Sequence, residues 1–190
     1  SNLSYQMCLQ LFCQEEFLRR LSLSQYNSNF VLKGGLFIYT LTEFQSRATQ
    51  DIDFLMLQLS NDIDKVKGVV EEISRVPTAN DYITIEVVNA EKITPDKEYQ
   101  GVSVKFIGHI KQVKIPFSID IGMDDVIVPK AVKRCIKTRL TDFEEPEVYT
   151  YSLESTIAEK FDAILKRMEA TSRMKDFFDI YYLSRMFDFD

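Results

Sequence analysis

Lys33-Gly34-Gly35, followed by Arg47-Ala48-Thr49-Gln50-Asp51-Ile52-Asp53-Phe54, is the stretch whose reading decides the fold. A short apolar run, Phe30-Val31-Leu32, leads into the glycine pair, and Leu36 to Leu41 has the character of a helix start. Asp51 to Leu59 reads as a strand, because the apolar run is short and bounded by polar turns. On a strand, residues two apart share a face, so Asp51 and Asp53 aim both carboxylates the same way while Ile52 and Phe54 turn into a core. Mg2+ takes a few carboxylates together with substrate phosphates. A glycine pair lets backbone N–H groups approach a phosphate with no Cβ in the way, and a helix N-terminus behind it adds partial positive charge. The combination points to nucleotide chemistry.

Elements on either side are legible from periodicity. Residues 3–22 predict an amphipathic helix, with Leu3, Met7, Leu11, Leu18 and Leu21 at helical spacing. Asn27 to Asn29 predict a loop, and Asn61 to Ser74 a helix. Three alternating segments, Tyr82–Val88, Val102–Ile107 and Gln112–Ile121, predict adjacent strands of one antiparallel or mixed sheet. Pro129 and Pro146 introduce a C-terminal third expected to be mostly helical. The order gives an α+β fold with a mixed sheet flanked by helices. Strand–helix alternation fails across 82–121 and no GxGxxG is present, which excludes a doubly wound dinucleotide fold. The expected division is a core over 1–128 and a helical C-terminal part over 129–190.

With 190 residues, 45% hydrophobic and 27% charged, the chain has the size and composition of one globular domain with a helical annex. No apolar run approaches the roughly 18 residues of a membrane span, and no signal peptide is visible. Cys8, Cys13 and Cys135 form neither an even disulfide set nor a metal cluster, which reads as reduced thiols in a cytoplasm. The net charge of −6 requires that any polyanion be held by a local cationic site. The single histidine, His109, falls in an alternating stretch as a solvent-facing strand residue. The count excludes a His–His metal pair, and the solvent-facing position argues against a Ser-His-Asp triad.

In Ile115 to Ile121, the residues Ile115, Phe117, Ile119 and Ile121 share one face and Asp120 projects from the other. If this strand lies beside Asp51 and Asp53, a third carboxylate reaches the same site and becomes the candidate to assist deprotonation of an acceptor hydroxyl. Lys33 reads equally as a phosphate ligand or a surface charge. In the helix from about Ser152, the stripe Leu153, Ile157, Phe161, Ile164 and Leu165 places Lys160 at its edge, where an inward lysine needs an anion. In Arg173 to Leu183, Asp176 aligns with Ile180 and Leu183 on the inward face, with Lys160 or Arg173 as partner. That pair is a lock between two helices, part of a nucleotide-binding wall, or both. Phe177, Phe178, Tyr181 and Tyr182 are expected in the core rather than as a stacking platform.

Taken together, VLKGG (31–35), RATQDIDF (47–54), SIDIG (118–122), SLESTIAEKFDAI (152–164) and RMKDFFDIYYL (173–183) resemble the AbiEii/AbiGii-type toxins, nucleotidyltransferase-like proteins with a polymerase β-type catalytic core. The resemblance implies a Mg2+-dependent transfer of NMP from an NTP to an acceptor hydroxyl, Mn2+ being an alternative metal, with a tRNA 3′ end or other RNA as acceptor. It further implies a cognate antitoxin that resembles a transcriptional regulator, within a toxin–antitoxin or phage-defence operon. By position, Asp51, Asp53 and Asp120 look like the metal-binding and catalytic carboxylates. Lys33, Gly34, Gly35, Arg47, Lys160, Arg173 and Asp176 look like nucleotide-binding positions. Gly35 stands where other nucleotidyltransferases often carry serine. The chain stops at Phe187-Asp188-Phe189-Asp190 where relatives often continue, which implies a shortened chain, and Ser1-Asn2 reads as a tag-cleavage scar. The alternatives are a non-catalytic interaction module on the same fold and a phosphotransferase acting on a protein hydroxyl.

Overall fold

The structure, a computed structural model, describes residues 3–93, 101–123, 130–166 and 174–188. Seven strands form one mixed sheet: β1 (Phe30–Lys33), β2 (Asp51–Met56), β3 (Ile83–Lys92), β4 (Gly101–Ile110), β5 (Val113–Met123), β6 (Val132–Cys135) and β7 (Glu147–Thr150). Their order is β3-β4-β5-β2-β1-β7-β6. β2 runs parallel to β5 and β1 parallel to β7, while the other neighbours are antiparallel. Among the described residues, five α-helices accompany the sheet: α1 (Tyr5–Leu23), α2 (Gly34–Leu41), α3 (Ile63–Ser74), α4 (Leu153–Lys166) and α5 (Met174–Met186). The expected α+β class and the adjacency of the three alternating segments are both found.

Local chemistry sets the helix starts. The Ser4 hydroxyl accepts from Met7 N at 3.2 Å, Asp62 accepts from Lys65 N at 3.1 Å, and Ser152 Oγ accepts from Ser155 N at 3.1 Å. The core lies between α1 and α3 and the alternate residues of the sheet. Phe17 of α1 sits 6.2 Å from Phe54 and 5.5 Å from Phe106, and Phe106 stacks on Phe117 at 4.8 Å. Helix and sheet come close enough at Gly108 that a Cβ there would lie 2.5 Å from Cys13 Sγ.

Three expectations are corrected. The C-terminal third is not mostly helical, because β6 and β7 belong to the sheet, and Ile136, Val148 and Tyr151 join the same core as Phe17 and Phe54. The expected boundary at 128/129 falls outside the described residues. Secondly, α1 is not simply amphipathic, since Glu16, Arg19 and Arg20 are buried with its leucines. Glu16 accepts from Arg20 Nε at 3.0 Å, Thr78 Oγ1 at 2.6 Å and Asn80 Nδ2 at 2.6 Å, so its charge is compensated internally. Thirdly, Phe177, Phe178 and Tyr181 are exposed rather than core. The three cysteines are free thiols, and His109 faces the open side of β4, with Nε2 2.9 Å from Glu86.

Candidate active site

The parallel pairing of β2 with β5 aligns Asp53 with Asp120 and Asp51 with Ser118. The antiparallel pairing of β1 with β2 sets Lys33 opposite Asp53. Lys33, Asp53 and Asp120 therefore form a row across three neighbouring strands, and Asp51 lies one pleat repeat away on the same face. Ile52, Phe54, Ile119 and Ile121 fill the other face and are fully buried. The third carboxylate thus reaches the paired aspartates.

β1 ends directly at Gly34, whose φ of +68° lies in the left-handed region. A Cβ on Gly34 would lie 3.0 Å from Asp53 Cβ and closer still to its carboxylate, so the backbone rests against this aspartate. No side chain caps α2, whose first N–H groups open beside the carboxylates. The loop before β2 is fixed at both ends. Gln14 Nε2 donates to Gln50 O at 2.7 Å, and Arg47 makes a two-pronged contact with Asp179 at 3.0 and 2.8 Å.

Asp53 is pushed up from 3.8 to about 6, first by burial. Lys33 opposes that shift, while Asp120, Asp51 and Glu159 add to it. Carboxylates crowded until one resists ionisation form a donor set suited to a hard cation, and oxygen ligands suit Mg2+. No group of three or more His, Cys, Asp or Glu residues among the described residues is arranged to hold a metal by itself. A Mg2+ site completed by phosphate oxygens and water does not require such a cage.

The remaining expected residues divide into two groups. Lys33 is buried, donates to Glu159 Oε2 at 2.7 Å and lies 5.5 Å from the centre of the Tyr151 ring. It is therefore not a surface charge. Gly35 follows on α2, with Thr49 packed beside it. Arg47, Lys160 and Asp176 form a separate network through buried Asp179, with Arg47 half-buried. Lys160 Nζ donates to Asp176 Oδ1 at 3.0 Å and to Asp179 Oδ2 at 2.7 Å. Lys160 is not at the edge of the packed face of α4. It is buried with Ser155, Thr156, Ala163 and Ile164, while Phe161 and Leu165 of the expected stripe are exposed. Arg173 lies outside the described residues. Two participants were missed from sequence, Asp179 and Glu159. Asp179 had a signal, since it follows Asp176 by three residues on the same helical face. Glu159 had none, because its contact with Lys33 joins distant elements.

The sheet, with its row of carboxylates beside a glycine-started helix, is that of the nucleotidyltransferase fold. Solved structures similar to it include the following three. JHP933 from Helicobacter pylori superposes with a TM-score of 0.62 at 16% identity, covering 98% of this chain and 69% of that one. An antigenic nucleotidyltransferase-like protein from Paracoccidioides brasiliensis gives 0.54 at 14% identity, covering 98% and 79%. ANT(2")-Ia in complex with adenylyl-2"-tobramycin gives 0.52 at 13% identity, covering 94% and 90%. No curated protein matched in sequence. The family described as "Nucleotidyl transferase AbiEii toxin, Type IV TA system" matches residues 16–190. The chain belongs to that family and is a nucleotidyltransferase of the toxin–antitoxin class.

Proposed function

We propose that this protein transfers NMP from an NTP to an acceptor hydroxyl, in a Mg2+-dependent reaction that releases pyrophosphate. The observation that carries this reading is the Asp53–Asp120 register, with Asp51 on the same face and the Gly34 backbone against Asp53. Asp51, Asp53 and Asp120 would hold the metal, which supplies charge neutralisation of the triphosphate and polarisation of its α-phosphorus. The N–H groups of Gly34 and Gly35 bind the phosphates, and Asp120 accepts the proton of the attacking hydroxyl. Buried Lys33 offsets the charge of the carboxylates from the neighbouring strand. Arg47, Lys160 and Asp176 act with Asp179 to fix the loop that delivers Asp51, so catalysis rests on positioning and electrostatics. Family membership supports an RNA 3′ end such as that of tRNA as acceptor, a cognate antitoxin as partner, a phage-defence setting and a cytoplasmic location.

Calorimetry with each NTP, with and without Mg2+, tests the first half. Binding is expected only with Mg2+, and a folded protein that binds no NTP in Mg2+ would sink the reading. Incubation with α- or γ-labelled NTP and total RNA tests the second half. Label from the α-phosphate is expected on RNA, whereas γ-label on protein identifies a phosphotransferase.

A further inference from the structure

The two glycines at the start of α2 lean on different neighbours. Gly34 rests against Asp53, whereas a Cβ on Gly35 would meet Thr49, with Thr49 Cβ and Oγ1 at 3.1 Å and Cγ2 at 3.5 Å. The Thr49 side chain therefore covers the space into which a side chain at position 35 would point, at the first turn of α2. Both residues are half-buried, so the contact remains within reach of a ligand. Among the described residues the Thr49 hydroxyl meets only Asp51. It accepts from Asp51 N at 3.4 Å, and its own proton has the Asp51 carbonyl at 3.5 Å, the outer limit of a hydrogen bond.

We propose that the Thr49 hydroxyl is a ligand of the substrate triphosphate and donates to the two phosphates that leave as pyrophosphate. The inference rests on the nucleotidyl-transfer reading and adds a side chain to the phosphate site. Topology sets the side of the site. Asp120 on β5, Asp53 on β2 and Lys33 on β1 follow one another across three strands, and α2 starts where β1 ends. With the acceptor hydroxyl at Asp120, in-line displacement at the α-phosphorus sends the leaving group the opposite way, toward β1 and the start of α2. Thr49 stands there, against Gly35. Hydrogen bonding sets the role. One lone pair of the hydroxyl is taken by the Asp51 N–H, which leaves its proton to be donated outward. A charged phosphate oxygen is a stronger acceptor than a carbonyl at 3.5 Å. In the transfer step the acceptor oxygen bonds to the α-phosphorus, and the bond from that phosphorus to the oxygen bridging to the β-phosphate breaks. Thr49 keeps its proton throughout and supplies a hydrogen bond to the negative charge that gathers on the departing pyrophosphate.

The test uses the full chain in Mg2+. Calorimetry measures the affinity for each of the four NTPs, inorganic pyrophosphate serves as competitor, and the melting temperature is taken in EDTA. Thr49→Val keeps the branched shape and removes the hydroxyl. It is expected to melt like wild type and to bind NTP about tenfold more weakly, the loss of one hydrogen bond to a charged group. Pyrophosphate should weaken by the same factor. Thr49→Ser retains the donor and should bind like wild type. Thr49→Ala/Gly35→Ser moves the hydroxyl to the other side of the contact, and most of the lost affinity should return; a role confined to holding the loop through Asp51 gives no such rescue. If Thr49→Val melts lower, Thr49→Ala with and without Gly35→Ser carries the comparison. NTP affinity equal to wild type in Thr49→Val overturns the proposal, as does a loss in Thr49→Ser as large as in Thr49→Val. A loss for NTP with none for pyrophosphate overturns the leaving-group assignment. Each of these results leaves nucleotidyl transfer standing, whereas a folded wild type that binds no NTP in Mg2+ removes the proposed function and this inference with it.

Discussion

At Asp53 a single side chain reports the design of the site. Its carboxyl titrates at about 6 in the fold against 3.8 as the ordinary value, so the native state binds the extra proton between these pH values. Stability of the metal-free protein is therefore expected to fall as pH rises from about 4 to about 6, and to level off above. Asp53→Asn removes that dependence. In EDTA the variant should match wild type near pH 4 and exceed it by on the order of 2 kcal/mol above pH 6, while nucleotidyl transfer is lost. Parallel melts across that range check the sign, and a gap that stays constant with pH would show that Asp53 ionises without strain. Gly34 is a second single-residue test. Alanine must adopt φ +68° and place its Cβ against Asp53. A cost of about 1–2 kcal/mol is expected from the left-handed backbone alone, together with loss of Mg2+–NTP binding by calorimetry.

Among the elements, α4 and α5 are joined to the loop before β2 by charge. Asp179 is 1% exposed and receives Arg47 and Lys160 together. Asp179→Ala leaves both cations without this partner, and Lys160→Ala leaves two buried carboxylates side by side. Each is expected to destabilise by about 3–5 kcal/mol, and denaturant unfolding measures it. Asp179→Ala should also slow transfer in the surviving folded fraction, because Arg47 no longer fixes the approach to Asp51. Packing divides the aromatic residues differently from sequence periodicity. Phe17→Ala should cost about 3–5 kcal/mol, whereas Phe161→Ser, at a position 54% exposed, should stay within about 0.5 kcal/mol. Equal losses for the two would mean that Phe161 is packed after all.

Across the whole molecule, the sheet runs through the boundary expected near residue 128. β7 lies parallel to β1, with Val31 opposite Tyr149 and Leu32 opposite Thr150, and Tyr151 N donates to Leu32 O at 3.0 Å. A fragment ending at residue 128 uncovers the β1 edge and removes Ile136, Val148 and Tyr151 from the core. It is expected to be unfolded or aggregated by circular dichroism and size-exclusion chromatography, and a cooperative melt from that fragment would establish 1–128 as an independent unit.

Local pattern was enough for the carboxylate pair, the glycine-started helix, the alternating strands and the separation of Asp120 from its apolar neighbours. Each of these depends on the two-residue repeat of a strand or on backbone freedom at one position, and both are properties of adjacent residues. An inward Lys160 and Asp176 were also legible, although the stripe that set Lys160 at its edge included Phe161 and Leu165, which are exposed. The identity of the complete network was not. Asp179 receives Arg47 from 132 positions away, and Lys33 reaches Glu159 across 126. The same holds for β6 and β7, short strands whose pairing depends on β1, and for α1, whose buried Glu16 and Arg20 look like surface charges until Thr78, Asn80 and the Ile83 carbonyl surround them. Periodicity describes which side a residue takes relative to its own element. What covers that side is fixed by contacts distant in sequence, and so by the tertiary structure alone.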